Sequence, residues 1–246
     1  MNIAIVVGLE EEMIAINQEI GIKVKTDKFI FPAVVGKIKK NNVLLLNCGP
    51  GKVNSALAAL DIIIKYSPDL VIVCGLAGAA INKLKQGDVV LANKVIQHDA
   101  MAYNKGNFSP RMLKMYKNKQ WQKIDYLPCD KHFVLLAKRI IRNISKEGSL
   151  NVGIMATGDQ LILSKKYRQL IHRIYGAIAI DMESAAVGHV CSMFGVKFGC
   201  LKVVSDTDEI STNNKLSPSL IRDRSDDVMN NSQLCAKMLR RILTTK

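Results

Sequence analysis

The chain has 246 residues, 48% of them hydrophobic and 23% charged, with a mean hydropathy of +0.11. These values exclude a disordered chain and fit one large domain that buries roughly 70–75% of its unfolded surface. The 35 Lys/Arg outnumber the 21 Asp/Glu to leave a net charge of +14, and residues 101–146 concentrate it, with eleven Lys/Arg against Asp125 and Asp130. Such a surface can attract nucleic acid, anionic membrane or an anionic substrate. No nucleic-acid-binding pattern accompanies the charge, so a solvated face is expected and no nucleic-acid partner. The longest near-apolar run, residues 70–81, falls short of the roughly 20 residues that span a bilayer, so no membrane partner is expected. Met1-Asn2 has no basic segment and glutamates begin at Glu10, so no secretory leader is expected. The six cysteines form no CxxC pair and the four histidines are scattered. They read as buried thiols of a cytoplasmic protein, with no metal site.

Residues 3–7 form a short apolar run that predicts a buried strand. Gly8 ends it, and Glu10 to Glu12 open a helix through Ile20, acids suiting the positive end of the helix dipole. Residues 29–35 and 43–47 read as two strands of a hairpin. Residues 52–66 read as a helix with Val53, Leu57, Leu60 and Ile64 on its apolar face. A buried strand follows at 70–74, a small-residue loop at 75–80 and a strand at 89–92. Residues 101–127, basic and poorly periodic, read as a long loop with some helix. Beyond them come a basic helix at 132–144, a strand at 151–156, a helix at 165–174 and a strand at 177–180. A helix at 183–194, a strand at 198–204 and a terminal helix at 219–243 complete the pattern. Strands and helices alternate with no composition break. The expected fold is therefore a single α/β domain over residues 1–246, with a central, mixed, mainly parallel β-sheet flanked by helices.

Ligands of such sheets bind beyond the C-terminal ends of strands. Carboxylates follow three different strands there: Glu12, Glu183 and Asp206. Together they can act as general base, hydroxyl clamp and general acid. Singly, each has a plain reading as a helix-end acid or a cap. Cys48-Gly-Pro-Gly-Lys52 lacks the GxxxxGK[ST] spacing of a P-loop.

The motifs Val7-Gly-Leu-Glu-Glu-Glu12, Cys48-Gly-Pro-Gly-Lys-Val53, Gly75-Leu-Ala-Gly78, Gly87-Asp88, His98-Asp99-Ala100, Thr157-Gly-Asp159, Asp181-Met-Glu-Ser-Ala-Ala186 and Ser205-Asp206 stand in an order that resembles the nucleoside phosphorylase/nucleosidase superfamily. Within it the chain looks most like the 5′-methylthioadenosine/S-adenosylhomocysteine nucleosidases. The resemblance implies a homodimer that hydrolyses a nucleoside substrate with no metal or organic cofactor. In that pattern Asp206 protonates adenine at N7, Ser205 orients it, and Glu12 activates the attacking water. Glu183 grips the ribose, Met182 packs under the sugar, backbone at Leu161 and Ile162 reads the adenine edge, and Ala77 and Gly78 complete the binding set. To act so, Asp206 has to hold a proton near neutral pH, which burial would favour.

Superfamily phosphorylases of this kind carry an arginine before the equivalent of Cys74-Gly75. Here the strand reads Leu70-Val-Ile-Val-Cys74, which favours water over phosphate as nucleophile. The alternatives are a futalosine-type hydrolase, a purine nucleoside phosphorylase, or a non-enzymatic binder on the same fold. Leu76 replaces a serine of the best-known bacterial nucleosidases, Leu161 a phenylalanine that stacks on adenine, and Lys202 an arginine. The last two resemble the plant-type branch. Residues 101–127 do not match the loop that, in the family, crosses the dimer interface to the 5′-substituent. Their basic charge suits a substrate with an acidic tail.

Overall fold

The computed structural model describes residues 1–22, 24–105, 107–142, 149–207 and 225–245. Its first strand, β1 (Asn2–Val7), shows how the core is divided: Ile3, Ile5 and Val7 enter one apolar layer, Ala4 and Val6 the other. An unbroken apolar run is what a strand needs when helices cover both faces of its sheet. The first layer is closed by α1 (Glu10–Ile20), α3 (Lys131–Arg142) and a C-terminal helix, α6 (Ser225–Thr244). The second is closed by α2 (Lys52–Tyr66) and α5 (Ser184–Phe194), whose small side chains Ala58, Ala59 and Ala185 let the two helices lie close. The last helix, α4 (Lys165–Tyr175), buries Ile171 and Tyr175 in a smaller third cluster.

The sheet contains β1, β2 (Val24–Thr26), β3 (Ala33–Ile38), β4 (Asn41–Asn47), β5 (Leu70–Ala79) and β6 (Val89–Gln97). Later in the chain come β7 (Met101–Asn104), β8 (Asn107–Pro110), β9 (Leu113–Lys117), β10 (Gln120–Ile124), β11 (Leu127–Pro128), β12 (Leu150–Thr157), β13 (Ala177–Asp181) and β14 (Lys197–Asp206). The large sheet runs β11-β6-β12-β13-β5-β1-β4-β3-β2, and β14 pairs with both β5 and β6. β14 thereby closes the path β5-β13-β12-β6 into a five-stranded ring. β1, β4, β5 and β14 run parallel, as do β6, β12 and β13, and the two sets meet antiparallel at β13/β5 and β14/β6. This is the expected mixed α/β sheet. Its parallel C-terminal ends gather β1, β5 and β14 at one place.

Several expectations need correction. The hairpin strands lie at Ala33–Ile38 and Asn41–Asn47, turning through Lys39 at φ 51°, and the edge strand β2 was not foreseen. Residues 75–79 are not a loop: β5 continues through them. The expected helix at 132–144 is present as far as it is described, Lys131–Arg142; 143 and 144 lie outside the described residues, as do 219–224 of the expected terminal helix.

The stripe on α2 points the other way. Val53 and Ile64 are 75% and 66% exposed, Leu57 and Leu60 are also exposed, and the buried face carries Ser55, Ala58, Ala59, Asp61 and Ile62. Periodicity located a face correctly and its environment wrongly. The small residues beside it pack against α5 because only they permit so close an approach.

The described residues of 101–127 contain no helix and form two β-hairpins, β7/β8 and β9/β10. In the second, Leu113, Met115 and Ile124 turn inward, while the Lys114/Lys123 and Tyr116/Trp121 pairs share the other face, the two rings edge-to-face at 5.4 Å. Lysines at outward positions hid the two-residue alternation. The turn places Asn118 and Lys119 at φ 53° and 62°, the two left-handed positions of a type I′ hairpin. Lys119→Gly removes the side-chain penalty at the second position and should stabilise this hairpin by about 0.5–1 kcal/mol. Slower amide exchange across β9 and β10 would register the gain; unchanged exchange would contradict the turn.

Candidate active site

β5 is the frame of the site, with β1 and β14 parallel on its two sides. Glu12 reaches it from one side and Asp206 from the other. The Leu76 amide of β5 donates to Glu12 Oε1 at 2.7 Å. Asp206 pairs with Gly78 in the sheet, and its Oδ1 lies 3.2 Å from where a Cβ on Gly78 would be. At about 3.3 Å per strand residue, the span from Gly75 to Gly78 is about 10 Å. That is the scale of a nucleoside.

Glu12 occupies the third position of α1, and its carboxylate folds back over the start of its own helix. Oε2 accepts from the Gly8 and Leu9 amides at 2.8 and 3.0 Å. The plain reading of Glu12 as a helix-end acid is therefore satisfied in part, as one half of a capping box. It does not exhaust the group. A carboxylate has about four lone-pair sites; three are taken, and among the described residues the fourth, on Oε1, has no donor. Gly75 is obligatory beside it: φ is 139°, and an added Cβ would stand 2.1 Å from Oε1. Burial pushes the Glu12 carboxyl up, against the lowering effects of Lys202 and the three amides. A raised carboxylate is a stronger proton acceptor.

Glu183 begins α5 just beyond β13 and lies against Gly8, whose added Cβ would stand 2.9 Å from Glu183 Oε1. The buried Lys202 ammonium meets Glu183 Oε2 at 3.1 Å and Asp181 Oδ2 at 3.4 Å. Asp181 itself is held by Thr157 Oγ1 at 2.6 Å and by the amide and hydroxyl of Ser184. Asp181 is thus the helix-end acid; Glu183 is not, because it makes no capping bond. Burial raises the Glu183 carboxyl to about 7, with Lys202 opposing.

Asp206 ends β14 and is buried. The Ser205 hydroxyl donates to its Oδ1 at 3.0 Å, and the buried Arg168 guanidinium of α4 pairs with Oδ2. Of the other expected positions, Ala77 and Ile162 are buried, Gly78, Met182 and Ser205 are half-buried, and Leu161 is 65% exposed. Leu161 precedes α4 and forms part of the open side of the site.

The residues the sequence reading passed over are Arg168, and Lys202 as a charge partner. A second network also went unread. Asp159 accepts from the Lys52 amide at 2.7 Å, Lys52 Nζ meets Asp99 at 2.7 Å, and the Asp159 amide donates to Asp99 at 3.0 Å. Three motifs distant in sequence are thereby stapled together, those at Cys48–Val53, His98–Ala100 and Thr157–Asp159.

The raised Glu183 group links pH to stability. The folded chain keeps a proton on it up to about 7, whereas an unfolded carboxyl releases it near 4.5. The folded state therefore binds more protons within that window, and this contribution is full below it and lost as pH rises through about 7. Glu183→Gln should remove that slope. Urea midpoints of wild type and variant across the window should diverge with pH; parallel curves would show that Glu183 ionises as an ordinary carboxylate.

Residues 2–245 match the phosphorylase superfamily. A 5′-methylthioadenosine/S-adenosylhomocysteine nucleosidase from an Exiguobacterium species is 30% identical over 218 residues, 87% of this chain and 88% of that protein. The structure of the Helicobacter pylori enzyme of the same name, in complex with a pyrrolopyrimidine-bearing pyrrolidinol, has a TM-score of 0.82 at 22% identity, covering 98% of this chain and 97% of that one. The futalosine hydrolase of Helicobacter pylori scores 0.79 at 23% identity over 98% and 97%. Two named activities at nearly equal likeness mean that the structural comparison speaks for the fold alone. The sequence match carries further: the chain belongs to the phosphorylase superfamily and, within it, to the 5′-methylthioadenosine/S-adenosylhomocysteine nucleosidase family.

Proposed function

We propose that this protein hydrolyses the N-glycosidic bond of 5′-substituted adenosines, 5′-methylthioadenosine and S-adenosylhomocysteine, releasing adenine and the 5′-thioribose. The observation that carries the proposal is the placing of Glu12 and Asp206 on opposite flanks of β5 with Glu183 beside Glu12. The bond from C1′ to N9 breaks with its electron pair leaving on adenine. Asp206 gives a proton to N7, so the base departs neutral. A water held at the open lone pair of Glu12 adds to C1′ and passes its proton to Glu12. Glu183 accepts the ribose hydroxyls, and above about pH 7, where it is ionised, its negative charge favours the developing ribosyl cation. Met182 packs under the sugar, and Leu161, Ile162, Ala77 and Gly78 line the base.

Water rather than phosphate as nucleophile is supported by local charge. Lys202 is the cation beside Glu12, Glu183 and Asp181 among the described residues, and carboxylates already surround it. A phosphate dianion would face carboxylates there, with no free guanidinium or ammonium among the described residues to bind it. Adenine release from methylthioadenosine should therefore not depend on phosphate. Asp206→Asn should lower it by about 10²–10⁴-fold, the usual worth of a general acid. Release only with phosphate would make the protein a phosphorylase; turnover of futalosine-type substrates alone would assign it to that hydrolase.

The same reading includes a homodimer in the cytoplasm. The six free, buried cysteines fit a reducing compartment. The α2 stripe of Val53, Leu57, Leu60 and Ile64 is an apolar helix face left uncovered in a single chain, and a second copy is its proposed occupant. Leu57→Glu with Ile64→Glu should convert a dimer to a monomer in sedimentation. A dimer that survives both charges would place the interface elsewhere.

A further inference from the structure

Arg168 is 2% exposed and lies among apolar α4 neighbours such as Ile171 and Tyr175. A buried guanidinium is costly, and an apolar side chain of similar volume often stabilises a core as well or better. Packing therefore gives no reason for arginine here; its contacts do. Nε donates to the Ile162 carbonyl at 2.7 Å. One terminal nitrogen donates to the Ala79 and Asp206 carbonyls at 3.3 and 3.4 Å, and the other pairs with Asp206 Oδ2. The fork thus fastens the segment at Ile162, the end of β5 and the carboxyl of Asp206 to one rigid plane.

The chemistry of the fork also separates the two oxygens of Asp206. A guanidinium only donates, so the oxygen it holds has to accept. The other oxygen, Oδ1, sits beside the Ser205 hydroxyl and faces Gly78. A hydroxyl both donates and accepts, and that of Ser205 has a second acceptor in the Ala77 carbonyl at 3.5 Å. It can turn there when Oδ1 carries a proton.

We propose that Arg168 is a positioning residue for the proton transfer: it reserves Oδ2 as an acceptor, leaves Oδ1 as the donating atom, and fixes that atom relative to the segment at Ile162. This inference rests on the reading of Asp206 as the acid. The test uses two substrates, methylthioadenosine and the matching 4-nitrophenyl riboside, whose nitrophenolate leaves without a proton.

Asp206→Asn should depress turnover of the first and spare the second. Arg168→Gln should show the same selectivity, with turnover of methylthioadenosine falling by about 10²-fold, as for an acid misplaced by about 1 Å, and with little change in KM. Arg168→Lys keeps the charge without the fork and should recover part of the loss; it also carries the test if Arg168→Gln does not fold. Adding Arg168→Gln to Asp206→Asn should cost nothing more. Equal losses on both substrates in the Arg168 variants, or full additivity in the double variant, would reduce Arg168 to a structural role while leaving the acid intact. Loss of both substrates in Asp206→Asn would overturn the acid reading and this inference with it.

Discussion

A single buried ammonium organises one half of this site. Lys202 is 1% exposed, and burial alone would strip its proton. Glu183, Asp181 and Glu12 more than reverse that and hold it well above the usual lysine range. The reciprocal also holds: without that cation, three carboxylates within one apolar sheet end would repel one another and lose charge. Burial sets a high cost for every charge here, and the shared ammonium makes the set tolerable. Thr157 donates to Oδ1 of Asp181 and the Ser184 hydroxyl to Oδ2, so that the lysine is anchored from behind and Glu183 presents its other oxygen toward Gly8.

The second half is organised by the opposite arrangement, a buried guanidinium on a carboxyl. Glu12 and Glu183 share one cation, while Asp206 has another to itself. The two halves are kept apart by β5, whose neighbours bring one carboxylate from each side. Sheet order is what makes this possible. Parallel pairing ends β1 beside the middle of β5, where Val6 meets Val73, and carries β14 on to Gly78, and closure of the ring through β14 prevents that end from splaying. Gly75 and Gly78 then let the carboxyls approach the strand itself.

Much of this was legible in sequence, for identifiable reasons. β1, α1, α2 and α4 are each bounded by local signals, such as Gly8 and the acids at Glu10 to Glu12, so their limits fall within about one residue of expectation. The three carboxylates could be singled out because each stands within about five residues of the end of an apolar run. Arg168 and Lys202 could not. One stands on a helix rich in other cations, the other inside a strand that otherwise reads as apolar, and the partners of each lie on other elements. Their meaning is created by pairing across 38 residues in one case and 19 in the other. The exposed stripe of α2 failed for a related reason: periodicity reports that a face is apolar, not what covers it. In β9 and β10, lysines on the outward positions lowered the contrast on which a strand reading depends.

The contrast between the two halves also bears on the proposed reaction, in which one sheet end both takes and gives a proton. An acceptor is improved when its charged form is made less comfortable, and desolvation does this to Glu12 while three amides keep it in place. A donor requires a defined oxygen that is free to carry hydrogen, and an arginine that can only donate fixes which one that is. Each follows from the number of lone pairs on a carboxylate and from which neighbours can accept as well as donate. In the proposed hydrolysis, specificity for water and for a departing base is then a matter of which lone pairs the fold leaves unoccupied.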